Sequence, residues 1–87
     1  MTTPLRTILV RVSGRDQPGI TAGLLTLLSA SGADLYDMEQ VVVRERLTLD
    51  VLIGVPEHDD VVRDLLFFGW ERGLHVDFEP VETVSQR

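Results

Sequence analysis

Val12-Ser13-Gly14-Arg15-Asp16-Gln17-Pro18-Gly19-Ile20-Thr21 is where the hydrophobic repeat of this chain changes period. Before it, Ile8, Val10 and Val12 alternate with Leu9 and Arg11, as in a strand with one buried face, and the pattern predicts a strand from Leu5 to Ser13. After it, Ile20, Leu24, Leu27 and Leu28 fall at i, i+4, i+7 and i+8, the stripe of an amphipathic helix. Two glycines and a proline between Gly14 and Gly19 punctuate a tight strand-to-helix turn. The helix is predicted to stop at Ala30 or Ser31, because Gly32 suits the left-handed position just past a helix end.

Working outward, Ala33 to Val43 reads as a second strand. Leu35 does not share parity with Met38 and Val42, which predicts a bulge near Asp37. Arg44-Glu45-Arg46 is a short polar connection, and Leu47, Leu49, Val51, Ile53 and Val55 then alternate as a third strand. So short a link permits only an antiparallel hairpin. Pro56 closes that strand, and Glu57-His58-Asp59-Asp60 gives a second helix an acidic, capping start. Val61, Leu65 and Phe68 form one stripe and Val62, Leu66 and Trp70 another, so this helix is expected to bury a broad apolar face before Gly73 ends it. By that spacing Phe67, Phe68 and Trp70 belong mostly to the core, one of them lying on the flank. Leu74, Val76 and Phe78 alternate as a fourth strand. Residues 1–80 make the domain, and the polar stretch 81–87 reads as a C-terminal tail or linker. The order predicts an α+β, ferredoxin-like βαββαβ sandwich: a four-stranded antiparallel sheet with two helices on one face.

Composition narrows the function. A chain of 87 residues with 44% hydrophobic content forms one domain with a packed core. Its net charge is −6, from 14 acidic and 8 basic residues, which makes it a poor match for nucleic-acid phosphates. No stretch is apolar enough to span a membrane, and Met1-Thr2-Thr3-Pro4-Leu5-Arg6 lacks the basic-then-apolar pattern of a signal peptide. Cysteine is absent, so thiolate metal sites and thiol nucleophiles are excluded, and a cytoplasmic location is expected. Leu9, Leu52 and their parity partners in the second strand are expected to leave apolar groups on the sheet face away from the helices, and this uncovered face and the exposed edges favour a dimer.

The strand-to-helix turn is the candidate site. Unpaired N–H groups at a helix start favour an anion, glycine lets a ligand approach the backbone, and Asp16 can accept a bond from an ammonium group. An α-amino acid carries both charges. Spacing alone favours the plainer role, Asp16 as a helix cap with Pro18 near the first helical position. His58 and His75 have no second histidine or carboxylate at metal-ligand spacing. Ser13 lacks a nucleophile motif. Without cysteine, asparagine or lysine, the chain offers no acid–base or nucleophilic constellation, and no hydrolysis of phosphoserine or acyl phosphates is expected of it.

Val12 to Thr21, with its Gly-x-Asp-x-Pro-Gly-Ile run after a strand and before a leucine-rich helix, strongly resembles an ACT domain, the amino-acid-sensing module of metabolic enzymes. Met38-Glu39-Gln40-Val41-Val42-Val43-Arg44, followed by Arg46-Leu47-Thr48-Leu49, is similar to the N-terminal regulatory region of bacterial phosphoserine phosphatases of the haloacid dehalogenase superfamily. The resemblance implies a regulatory, non-catalytic chain that binds a small amino acid, typically serine, between two ACT domains, in a homodimer or with an adjacent domain. It assigns the ligand to Asp16, Pro18, Gly19 and Ile20 of one domain and to Tyr36, Asp37 and Met38 at the start of the partner's second strand. Many ACT domains carry asparagine near position 37, where this chain has aspartate. It implies no cofactor or metal in this chain; magnesium belongs to a parent phosphatase domain outside it. A freestanding ACT sensor is the alternative. An acylphosphatase-like enzyme would use Arg15 in the same loop but needs an asparagine that is missing.

Overall fold

The computed structural model describes residues 5–56 and 60–81. Along the chain run β1 (Leu5–Arg15), α1 (Ile20–Ala30), β2 (Asp34–Val43), β3 (Arg46–Pro56), α2 (Val61–Arg72) and β4 (His75–Pro80). The strands form one sheet in the order β2-β3-β1-β4, with every neighbouring pair antiparallel. This is the predicted ferredoxin-like sandwich.

Period-two alternation places the core. Ile8, Val10 and Val12 of β1 and Leu47, Leu49, Val51, Ile53 and Val55 of β3 point to one face and are buried. The helices cover that face with Ile20, Leu24 and Leu28 of α1 and Val61, Leu65 and Phe68 of α2. Each fully buried residue of this size contributes about 1.5–3 kcal/mol relative to exposure.

β1 runs two residues past the predicted end at Ser13. Gly14 and Arg15 stay in the ladder because the hairpin opposite extends as far, pairing Gly14 with Leu47 and Arg15 with Arg46. Gly14 holds a φ of 153° that side-chain-bearing residues rarely adopt, and a Cβ there would also press on Leu74 Cδ2 at 2.8 Å. The predicted irregularity in β2 is present as a register shift between Leu35 and Asp37. Tyr36 is the extra residue, and the shift returns Leu35, Met38, Gln40 and Val42 to the helix-facing side. The β2–β3 link is tighter than Arg44-Glu45-Arg46, since Arg46 already belongs to β3. Arg44 and Glu45 make the turn, with φ of 50° and 68°, the primed geometry of a two-residue hairpin.

One expectation requires correction. In α2 only one stripe is buried: Leu66 is 49%, Phe67 56% and Trp70 76% exposed. A helix lying on a sheet buries one stripe, and the α2 glycine, Gly69, brings that stripe close to β4. The outer sheet face does carry the expected apolar groups, Leu9 and Leu52 together with the exposed Val41 and Val43 of β2, but it is acidic as well. Leu9 and Leu52 are only half-buried there, among Asp37, Glu39, Asp50, Asp77 and Glu79. Two such faces would repel. The predicted α2 start Glu57-His58-Asp59, and positions 82–87 of the tail, lie outside the described residues.

At the centre of the outer face, Arg11 Nε donates to Asp50 Oδ1 at 2.7 Å and Nη2 donates to Oδ2 at 3.1 Å. These hydrogen bonds, more than bare charge attraction, hold the Asp50 carboxyl below the ordinary aspartate value of 3.8, with desolvation opposing them. A depressed folded-state pKa stabilises above the unfolded value and is lost as pH falls through the folded one. The pair therefore contributes fully at neutral pH and fades in the acid range below 3.8. We expect an NMR titration to place Asp50 below that value and Arg11→Gln to restore it. An unshifted Asp50 in the native protein would refute the assignment.

Candidate functional site

The segment from Asp16 to Gly19 joins β1 to α1 and is held from two sides. Asp16 N donates to the carbonyl of Glu45 at 2.8 Å, tying the loop to the β2–β3 turn. Gln17 Nε2 donates to the carbonyl of Arg72 at 3.0 Å, tying it to the end of α2. Pinned at both flanks, the loop exposes Asp16, Pro18 and Gly19 and buries Ile20, which is 2% exposed. Ile20 thus anchors α1 in the core, leaving its backbone rather than its side chain to face a ligand.

Gly19 is the N-cap of α1, with φ 84° and no side-chain capping bond. Asp16 does not cap, and Pro18 lies one residue before the cap rather than inside the helix. The capping role favoured by spacing is therefore absent, and the Asp16 carboxylate is exposed beside the helix start. An added Cβ at Gly19 would meet nothing within 4 Å, so glycine here answers to backbone conformation and open approach rather than to a neighbour. The first helical bond runs from Gly23 N to the carbonyl of Gly19 at 2.9 Å; the amides before it have no intrahelical acceptor. This end of the molecule also gathers Arg15, Arg44, Arg46 and Arg72, four of the eight arginines. They are partly offset by Glu45, 3.5 Å from Arg15, and Glu71, 3.6 Å from Arg72. A carboxylate is favoured by this cationic rim and the helix N-terminus, and an ammonium by Asp16.

Tyr36, Asp37 and Met38 are elsewhere in the same chain. Asp37 is level with Leu52 and, through it, with Leu9, six residues down β1 from Arg15. At strand rise that is about 20 Å from the loop. The bulge also divides the three: Tyr36 lies against Gly54 and, with Asp37, faces the outer side, while Met38 faces the helix side. Asp37 Oδ1 accepts from Met38 N at 2.8 Å.

Residues the sequence reading passed over are Gln17, Thr21, Gln40 and Glu45. Thr21 donates its hydroxyl hydrogen bond to Gln40 Oε1, linking the start of α1 to β2. Only the parity of Gln40 with Met38 and Val42 hinted at this. His75 does have a close carboxylate, contrary to expectation: its Nε2 is 3.1 Å from Asp77 Oδ1, at i+2 on one strand face. Among the described residues no group of three histidine, cysteine or acidic residues is placed to hold a metal, and no helix is long and apolar enough to cross a membrane.

A family model described as ACT domain matches residues 6–79. Over 49 residues, 56% of this chain, the sequence is 49% identical to phosphoserine phosphatase SerB2 of Mycobacterium tuberculosis, a match spanning 12% of that protein. Over 55 residues, 63% of this chain, it is 47% identical to a phosphoserine phosphatase of Streptomyces coelicolor, spanning 13% of it. Among solved structures, an ACT domain protein from Streptococcus pneumoniae superposes with a TM-score of 0.73 at 22% identity, covering 86% of this chain and 89% of that one. The matched stretches thus span about an eighth of the two phosphatases.

Proposed function

This chain belongs to the ACT-domain family, and from that premise we propose that it is the regulatory module of a cytoplasmic phosphoserine phosphatase and binds L-serine. The observation that carries the ligand reading is the exposed, left-handed Gly19 at the start of α1, open to approach and flanked by Asp16. Backbone N–H groups there take the serine carboxylate, and Asp16 takes the ammonium. The likeness to the two phosphoserine phosphatases supports such a parent enzyme and, through its product class, the choice of serine.

The second half of the site comes from another copy. β2 is exposed along all ten residues, with its outer edge unpaired in the sheet order. Leu35, Val41, Val42 and Val43 on it are each 45% to 61% exposed, a liability for an edge strand left alone. Antiparallel pairing of β2 with its counterpart carries the partner's strand start towards this chain's strand end, where the loop lies. The 20 Å gap within one chain is thereby closed by the two-fold axis. Because the acidic outer faces repel, association runs through the strand edge rather than through the faces.

Calorimetric titration with L-serine tests the ligand. We expect binding to the native chain, weakening by roughly tenfold or more in Asp16→Asn, where a charge-assisted hydrogen bond is lost. Gly19→Ala should abolish it. That variant places a methyl in the approach path and strains a left-handed position by about 1 kcal/mol, which a folded domain survives. A folded Gly19→Ala protein that binds serine with native affinity would end the assignment.

A further inference from the structure

We propose that α2 carries a second self-association surface, a two-fold antiparallel seam formed by Arg63, Leu66, Phe67 and Trp70 against the same residues of another copy. These four lie within about 100° of one another around the helix, opposite the buried Val61, Leu65 and Phe68. Phe67 and Trp70 are already stacked, with ring centroids 5.9 Å apart and planes at 28°. Trp70, at 76% exposed, is the most exposed large apolar side chain among the described residues. A stacked aromatic pair left in water is a contact surface waiting for cover.

Spacing and charge select the occupant. The stripe is symmetric about the midpoint between Leu66 and Phe67. An antiparallel copy therefore sets Leu66 against the other Phe67, and Arg63 over the other Trp70. Arg63 is exposed and loosely held, 3.2 Å from Asp60 and 3.8 Å from Asp64, and these weak pairs survive while its guanidinium covers an indole face. A parallel arrangement would oppose Arg63 to Arg63 and align the helix dipoles unfavourably. The three apolar side chains leave roughly 400 Å² exposed per copy, in the range of a functional patch. Pairing two of them buries at most about 800 Å² of this apolar surface, below the size of stable specific interfaces, so a weak and concentration-dependent association follows.

This seam is independent of the β2 edge. α2 packs over β4, with Gly69 against Val76, at the opposite side of the sheet from β2. Pairing through β2 leaves Trp70 in solvent. Trp70 is also the only tryptophan in the chain, so its fluorescence reports on this surface alone.

The experiment follows the Trp70 emission maximum from low to high micromolar protein, beside sedimentation velocity. We expect the emission to move to the blue as the mass rises. Phe67→Asp, which keeps the reporter, should abolish both changes, and Arg63→Glu should weaken association by roughly tenfold through loss of two cation–π contacts. Both positions are exposed, so melting temperatures should stay near native. An emission maximum independent of concentration overturns the proposal, as does a blue shift that survives Phe67→Asp or ignores Arg63→Glu. Loss of β2-edge pairing, by contrast, would lower the mass without moving the emission.

Discussion

Leu49→Ala is expected to destabilise the domain by about 3–4 kcal/mol, the upper part of the range for a buried leucine truncated in a packed core. Leu49 is 0% exposed in β3, the central strand that pairs with both β1 and β2, and its cross-strand partners are Val12 and Gln40. With β2 lending little cover, the site has few neighbours able to relax into the space. For a domain of this length, global stability is about 4–13 kcal/mol, so the variant should lose a large part of it. Urea unfolding gives the measurement, with the midpoint falling and the slope unchanged. Leu52→Ala is the control for register: three residues on, half-buried on the outer face, it should cost less than about 1 kcal/mol. Equal losses at the two positions would mean that the inward and outward sets have been exchanged.

The second large effect is expected at Gly69, and its sign is the test. In an ordinary helix interior, glycine to alanine stabilises by about 1 kcal/mol. At Gly69 a Cβ would run into Val76 Cγ2 and come within 3.2 Å of the Leu74 carbonyl oxygen. The carbonyl belongs to backbone already fixed, since Leu74 N donates to the Gly69 carbonyl at 2.8 Å. The helix must then lift away from β4, and overpacking of this kind costs about 1–3 kcal/mol. We expect Gly69→Ala to lower stability by about 2 kcal/mol and Gly69→Val by more. A Gly69→Ala protein melting above the native one would show that α2 is not pressed onto β4 as described.

The loop shows how far residue patterns reach. Asp16, Pro18 and Gly19 stand out in the sequence because turn chemistry and a change of hydrophobic period coincide there, and all three are exposed in the structure. Ile20 looks the same in a motif, yet its side chain is core. Gln17 and Thr21 gave no local signal and Gln40 only its strand parity, because each matters through a partner 55 or 19 residues away. The Arg44-Glu45 turn was hidden for a different reason: primed hairpins favour asparagine and glycine, and neither is present in the turn.

Element order, the bulge beside Asp37, the glycine-ended helices and the inward set of β3 were determined by the sequence, because each depends on backbone preference or on the parity of near neighbours. Tertiary structure alone decided which α2 stripe is buried, since a helix has two apolar stripes here and a sheet can cover one. It also decided that Gly14 and Gly69 answer to Leu74 and Val76, and that the outer sheet face is acidic, because those neighbours are fixed by register and packing between distant segments. The separation of Tyr36–Met38 from the loop belongs to the same class. Strand direction places the two halves of the candidate site at different levels of one sheet, and no spacing along the chain encodes that distance.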